Sequence, residues 1–141
     1  MMELEKILNK YDFPKRTIQQ ETSLDEIEKL AMFPLPGDYK FYLDNYNERE
    51  CFIGPEYLRL WDIENLLENN NGYEIFTYLA NTLAIGTNMG GEFFAIEYLG
   101  QNKHHIVLSP FIDLNKENYI EIGTSFTDML NRLDRGKQWF N

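Results

Sequence analysis

Apolar residues recur along the chain at two periods, and these divide it into helices and strands. Leu24, Ile27, Leu30 and Ala31 fall at helical spacing, starting within Ser23-Leu24-Asp25-Glu26. That tetrapeptide is a capping box, in which Ser23 and Glu26 can each satisfy free amides at a helix start. Pro34-Leu35-Pro36 ends the helix, and Pro36 suits the first position of the next, where a missing N–H costs nothing. Tyr39, Leu43 and Tyr46 form one face of that second helix, with Tyr42 beside it. Two short strands follow, Cys51-Phe52-Ile53 and Tyr57-Leu58-Arg59-Leu60, around a Gly54-Pro55-Glu56 turn. Asp62 is placed to cap a helix carrying Ile63, Leu66 and Leu67, which runs out at Asn69-Asn70-Asn71-Gly72. The three Asn read as a solvated helix exit, with Gly72 as a left-handed C-terminal cap.

Beyond Gly72 the pattern turns to strands. Leu83-Ala84-Ile85 and Phe93 to Tyr98 are joined by Gly86 to Gly91, and Ile106-Val107-Leu108 and Tyr119 to Ile122 add two more. The last element is a helix, with Ser125-Phe126-Thr127-Asp128 as a capping pattern and Phe126, Met129, Leu130 and Leu133 at i, i+3, i+4 and i+7. Most strand connections are too short for a crossover helix, so the sheet is predicted to be mainly antiparallel. The predicted class is α+β, with helices packed around that sheet. No repeat or linker divides residues 1–141, which read as a single domain.

Composition supports a packed core: 43% of residues are hydrophobic and 15% aromatic, unlike a disordered chain. Cys51 is the only cysteine, which excludes an internal disulfide and a four-cysteine zinc site. There is no signal-like start and no apolar run long enough to span a bilayer, so the expected location is cytoplasmic. The net charge is −10, and residues 1–71 hold eight Lys/Arg against fifteen Asp/Glu. Such a surface repels phosphate backbones and anionic lipid, so no direct nucleic acid and no membrane is expected as partner. It would attract a basic protein, although acidity for solubility alone is the plainer alternative.

Catalytic chemistry finds little purchase. Gly86 to Gly91 lacks the Gly-Lys-Ser/Thr ending of a phosphate loop and leads into a strand, so it reads as a tight turn in which Asn88, Gly90 and Gly91 supply positive φ. His104 and His105 are adjacent, would point to opposite strand faces, and read as two solvated turn residues. Glu97 and Asp113 are the nearest further ligand types, without recognised metal spacing. Ser23, Ser109 and Ser125 sit in no nucleophile elbow, and Cys51 reads as a half-buried strand thiol without a basic neighbour. Glu92 and Glu97 fall on opposite faces of a regular strand and make a poor acid/base couple. No catalytic residue, no metal and no cofactor is expected.

The motif order itself carries a resemblance. Leu35-Pro36-Gly37-Asp38-Tyr39-Lys40-Phe41-Tyr42-Leu43 resembles the LP-x-DY-x-x-x-L opening of the SUKH superfamily. Leu83-Ala84-Ile85-Gly86 followed by Gly90-Gly91-Glu92 and the strand to Glu97 resembles its second signature. Tyr57 to Trp61 with Ile63 to Leu66 and the Asn run is similar to the stretch between them, and the Ser125 helix has a counterpart. The match spans roughly residues 20–135. Two departures are Asn47-Glu48, where Asn-Gly is common, and Glu97, where Asp is common. The resemblance implies a small α+β domain whose shared motifs (here Leu35, Pro36, Asp38, Tyr39, Gly86, Gly90, Gly91 and Glu92) are structural. It also implies no family-wide enzymatic activity. Bacterial members are similar to immunity proteins that neutralise toxins, often nucleases, of polymorphic toxin systems, and fungal relatives regulate cell-wall synthesis. A basic cognate toxin is therefore the expected partner, with a regulatory scaffold role as the alternative. Glu48, Glu50, Glu56, Glu64 and Glu68 are the candidate contacts. Tyr57 and Trp61 are candidate aromatic anchors, with core packing as the competing reading for both.

Overall fold

Six strands pair in the order in which they occur, every neighbour antiparallel, in the computed structural model, which describes residues 2–140. They are β1 (Arg49–Ile53), β2 (Glu56–Leu60), β3 (Thr82–Thr87), β4 (Glu92–Gly100), β5 (Lys103–Pro110) and β6 (Ile120–Gly123). Six α-helices accompany them: α1 (Met2–Lys10), α2 (Leu24–Ala31), α3 (Gly37–Asn45), α4 (Ile63–Gly72), the single turn α5 (Ile75–Tyr78) and α6 (Phe126–Asp134). The α+β class and the antiparallel sheet are as the sequence predicts.

The sheet is curled. Helix α6 packs against β6 and β5 at one end of the sheet and against β1 at the other, which a flat six-stranded sheet would not allow. Phe126, Met129, Leu130 and Leu133 form its buried stripe, and the Phe126 ring meets Tyr39 at 5.2 Å and Tyr42 at 5.1 Å on α3. Helices α4 and α5 lie against β3. Every residue of β3 is buried, and the burial of Leu83 and Ile85 within it contributes roughly 1.5–3 kcal/mol each.

Local signals hold where the chemistry is local. Ser23 accepts from the Glu26 amide at 3.1 Å and Ser125 from the Asp128 amide at 2.9 Å, so both serines cap as predicted, whereas the Glu26 carboxylate meets the Ser23 hydroxyl at 3.5 Å instead of an amide. Ile27 and Ala31 are buried as predicted, whereas Leu30 is exposed. Pro36 is the residue that precedes α3, one position before the predicted one. Asp62 does not cap α4 through its side chain, because Arg16 holds it in an ion pair at 2.7 Å. The same guanidinium donates to the carbonyls of Leu43 and Tyr46, closing the end of α3.

Three expectations at turns are corrected. Gly72 belongs to α4, and the left-handed residue after it is Glu74, at φ 60°. In the turn between β3 and β4 the positive φ values belong to Met89 (61°) and Gly91 (105°), not to Asn88 or Gly90. Asn88 shapes that turn with its side chain, accepting from the amides of Gly90 and Glu92 and donating to the Glu92 carboxylate. Gly86 is required by space: a Cβ there would stand 2.3 Å from the Arg59 carbonyl oxygen. Asn70, read as part of a solvated exit, is fully buried and hydrogen-bonds both Leu66 and Ala84.

Candidate functional site

A two-residue connection, Gly54-Pro55, joins β1 to β2 and sets their register. Strand alternation then decides which side chains face outward. Ile53 and Leu58 are buried, while Glu50 and Phe52 are exposed opposite Arg59 and Tyr57. Tyr57 donates its hydroxyl to the Glu50 carboxylate at 2.6 Å, which raises the Tyr57 pKa above the ordinary phenol value. Arg59 donates to Glu48 at 3.2 and 3.3 Å, through a pair whose side chains are about 40% exposed. Glu48, Glu50 and Tyr57, proposed separately from the sequence, thus come together on one hairpin face. Phe52 joins them, 62% exposed and edge-on to Tyr57 at 4.9 Å. Its place opposite Tyr57 on an alternating strand was the signal that could have named it.

The remaining candidates fall elsewhere. Glu64 and Glu68 are exposed on α4, four residues apart and so on one helix face. Glu64 is already engaged: it accepts from the amides of Thr22 and Glu21 at 2.9 and 2.7 Å, and its pKa is lowered first by the Thr22 side chain and then by the Glu21 amide. Glu56 accepts from the Trp139 amide at 2.7 Å and ties down the segment after α6. Trp61 is buried and stacks on Tyr73 at 6.2 Å, so core packing is its role and it offers no surface for an anchor.

The motif residues act within the fold. Leu35 and Tyr39 are buried, and the Leu35 amide donates to Glu28 at 2.7 Å. Asp38 accepts from the Tyr39 amide and, through its other oxygen, from the amide and hydroxyl of Thr127, which joins α3 to α6.

The histidines are not solvated turn residues. Both lie in β5, where His104 contacts the Pro34 carbonyl at 2.6 Å and His105 sits between two carboxylates. Its Nε2 is 2.7 Å from Glu97 and its Nδ1 is 3.0 Å from Glu121. Partial burial works against charge there, but the bonds to Glu121 and Glu97 prevail and raise the His105 pKa. Lys116 reaches Glu97 at 2.9 Å, and Arg132 reaches Glu121 at 3.7 Å and Asp128 at 2.9 Å. The imidazole has each nitrogen committed to a carboxylate, which is the geometry of an ionic link, not of a general base awaiting substrate. Cys51 is half-buried, and that burial raises its pKa although Arg49 acts in the opposite sense; the basic neighbour that the sequence reading denied it is therefore present. Among the described residues no group of three or more His, Cys, Asp or Glu is arranged to hold a metal ion, and no helix is long and apolar enough to cross a membrane.

The family model of the SMI1 / KNR4 family (SUKH-1) matches residues 20–132, most of the chain. A comparison with curated proteins finds no match.

Proposed function

The chain belongs to the SMI1 / KNR4 family (SUKH-1), and from that membership we propose that it is an immunity-type protein which binds and neutralises a cognate toxin, a nuclease, of a polymorphic toxin system. The family includes toxin-immunity proteins and fungal regulators, and its members are generally non-catalytic and bind protein partners. Inhibition would be stoichiometric occlusion. A nuclease presents a basic groove to phosphates, and an acidic protein competes for that groove. The net charge of −10 supports this reading, as does the hairpin face carrying Glu48, Glu50 and Tyr57. Glu68 on α4 is a further contact in the proposal.

Co-expression with the product of the neighbouring gene is the test. A toxic product that this protein binds, with growth restored, supports immunity. A toxic product that it neither binds nor counters removes the assignment and favours a regulatory scaffold.

A further inference from the structure

Phe52 is an exposed ring in a chain whose phenylalanines are mostly buried or half-buried. Among the described residues only Phe52 and Phe140 are phenylalanines counted as exposed, and Phe52 stands within a paired strand. A buried phenylalanine contributes roughly 1.5–3 kcal/mol, whereas a cross-strand pair contributes roughly 0.2–1 kcal/mol. Contact with Tyr57 therefore recovers only a fraction of what burial would give. The geometry of that contact matters: the planes meet at 68°, so the pair is edge-on rather than stacked.

Glu50, two residues earlier on the same face, is the second observation. One of its oxygens accepts from Tyr57, and the other has no hydrogen-bond partner among the described residues. Its cross-strand neighbour is Arg59, the obvious counter-charge, but that guanidinium is turned to Glu48. Among the described residues the carboxylate beside Phe52 thus has no ion-pair partner. Charge complementarity on this face calls for a cation from outside the chain.

We propose that the outward face of the β1–β2 hairpin receives an arginine side chain of a basic protein partner, stacked on Phe52 and hydrogen-bonded to Glu50. The proposal rests on the reading of the protein as a binder of a basic protein and names the group bound. Arginine fits better than lysine. Its guanidinium is planar, sheds water more readily, lies flat on an aromatic face and directs N–H groups at a carboxylate in the same plane. Phe52 has no polar group with which to hold an ammonium ion. Residues two apart on a strand are roughly 7 Å apart, a span that a side chain resting on the ring can bridge to the carboxylate. Tyr57 fixes the Glu50 carboxylate, and Arg59 with Glu48 forms the adjoining wall.

The test is an NMR titration of the isotope-labelled protein with a short blocked peptide of alternating Gly and Arg, and with its Gly–Lys counterpart. Shift changes concentrated at Glu50, Phe52 and Tyr57 are expected, with the arginine peptide about fivefold tighter than the lysine one. Phe52→Ala and Phe52→Leu should both abolish that preference; the leucine variant keeps an apolar side chain and lacks only the ring face. Equal affinity for both peptides, or changes centred on the α4 acids Glu64 and Glu68, would overturn the proposal. So would an unaltered preference in either variant. Because no toxin is present, failure here removes the arginine site and leaves the immunity reading standing. Failure of growth rescue instead removes the toxin as the source of the arginine.

Discussion

Asn70 has no exposed surface, and its amide group joins two elements. It donates to the carbonyls of Leu66 and Ala84 at 2.8 and 2.9 Å and accepts from the Ala84 amide at 2.8 Å. A β3 residue thereby has both backbone groups bonded by a helix side chain. Asn70→Ala would leave the Ala84 N–H and C=O buried without those partners and should destabilise the fold by about 2–4 kcal/mol. Urea unfolding should show a lower midpoint with an unchanged slope, while Asn71→Ala, at an exposed position, should lie within about 0.5 kcal/mol of wild type. The burial of Asn70 was legible in part: Ile63, Leu66, Leu67 and Asn70 stand at i, i+3, i+4 and i+7, so Asn70 falls on the apolar stripe. Residue type argued for solvent and spacing argued for the core, and spacing won because β3 supplied the partners. Trp61 taught the opposite lesson. Alternation with Tyr57 and Arg59 points it outward, yet it is buried in the core cluster with its ring stacked on Tyr73, twelve residues away in sequence.

Strands β4, β5 and β6 are joined by more than their ladders. His105 on β5 links Glu97 on β4 to Glu121 on β6, with Lys116 from the β5–β6 connection and Arg132 from α6 at the two ends. The His105 pKa is raised above its ordinary 6.5, so the folded state holds the proton more tightly than the unfolded one. That stabilisation is complete below the unfolded value and is lost as pH rises through the folded one. The Glu97 pKa shifts the other way: burial opposes the shift, but His105 and Lys116 lower it, so its contribution is present above the unfolded value of 4.5 and is lost as pH falls through the folded one. The melting temperature should therefore decline as pH rises from the unfolded value of 6.5 through the higher folded one, and His105→Gln should remove that decline. An identical pH profile in the variant would show that this link adds nothing. Elements of this kind were legible unevenly. Both serine caps could be read because donor and acceptor lie three residues apart. Helix α1 was not identified, although Leu4, Ile7 and Leu8 have the spacing of its buried face. The curl of the sheet, which brings α6 to both β1 and β6, depends on contacts far apart in sequence and leaves no local pattern.

For the whole molecule the question is whether acidity acts as a general field or at one face. A net charge of −10 gives any cationic partner a long-range attraction, and the excess is −7 in residues 1–71 and −3 in residues 72–141. The candidate acids are not equivalent, however. Glu56 holds the Trp139 amide and Glu64 the amides of Glu21 and Thr22, so replacing either would mix stability with binding. Glu48, Glu50 and Glu68 are better probes. The half-exposed Glu48–Arg59 pair is worth at most about 1 kcal/mol, and Glu68 is exposed on α4. Converting these three to Gln changes the net charge from −10 to −7 and should leave the protein folded. An equal change at Glu26→Gln, Asp113→Asn and Glu117→Gln provides the control. If the product of the neighbouring gene is the toxin proposed above, its association, followed by stopped flow at low salt, should slow about tenfold in the first variant and far less in the control. The difference should shrink as added salt shortens the screening length to about 10 Å at 0.1 M, because steering acts over distance. Dissociation should change less than association, since steering charges shape the encounter more than the docked state. Equal slowing by both triple variants would mean that the field of the whole molecule guides the partner, and the hairpin face would lose its claim as the place of contact.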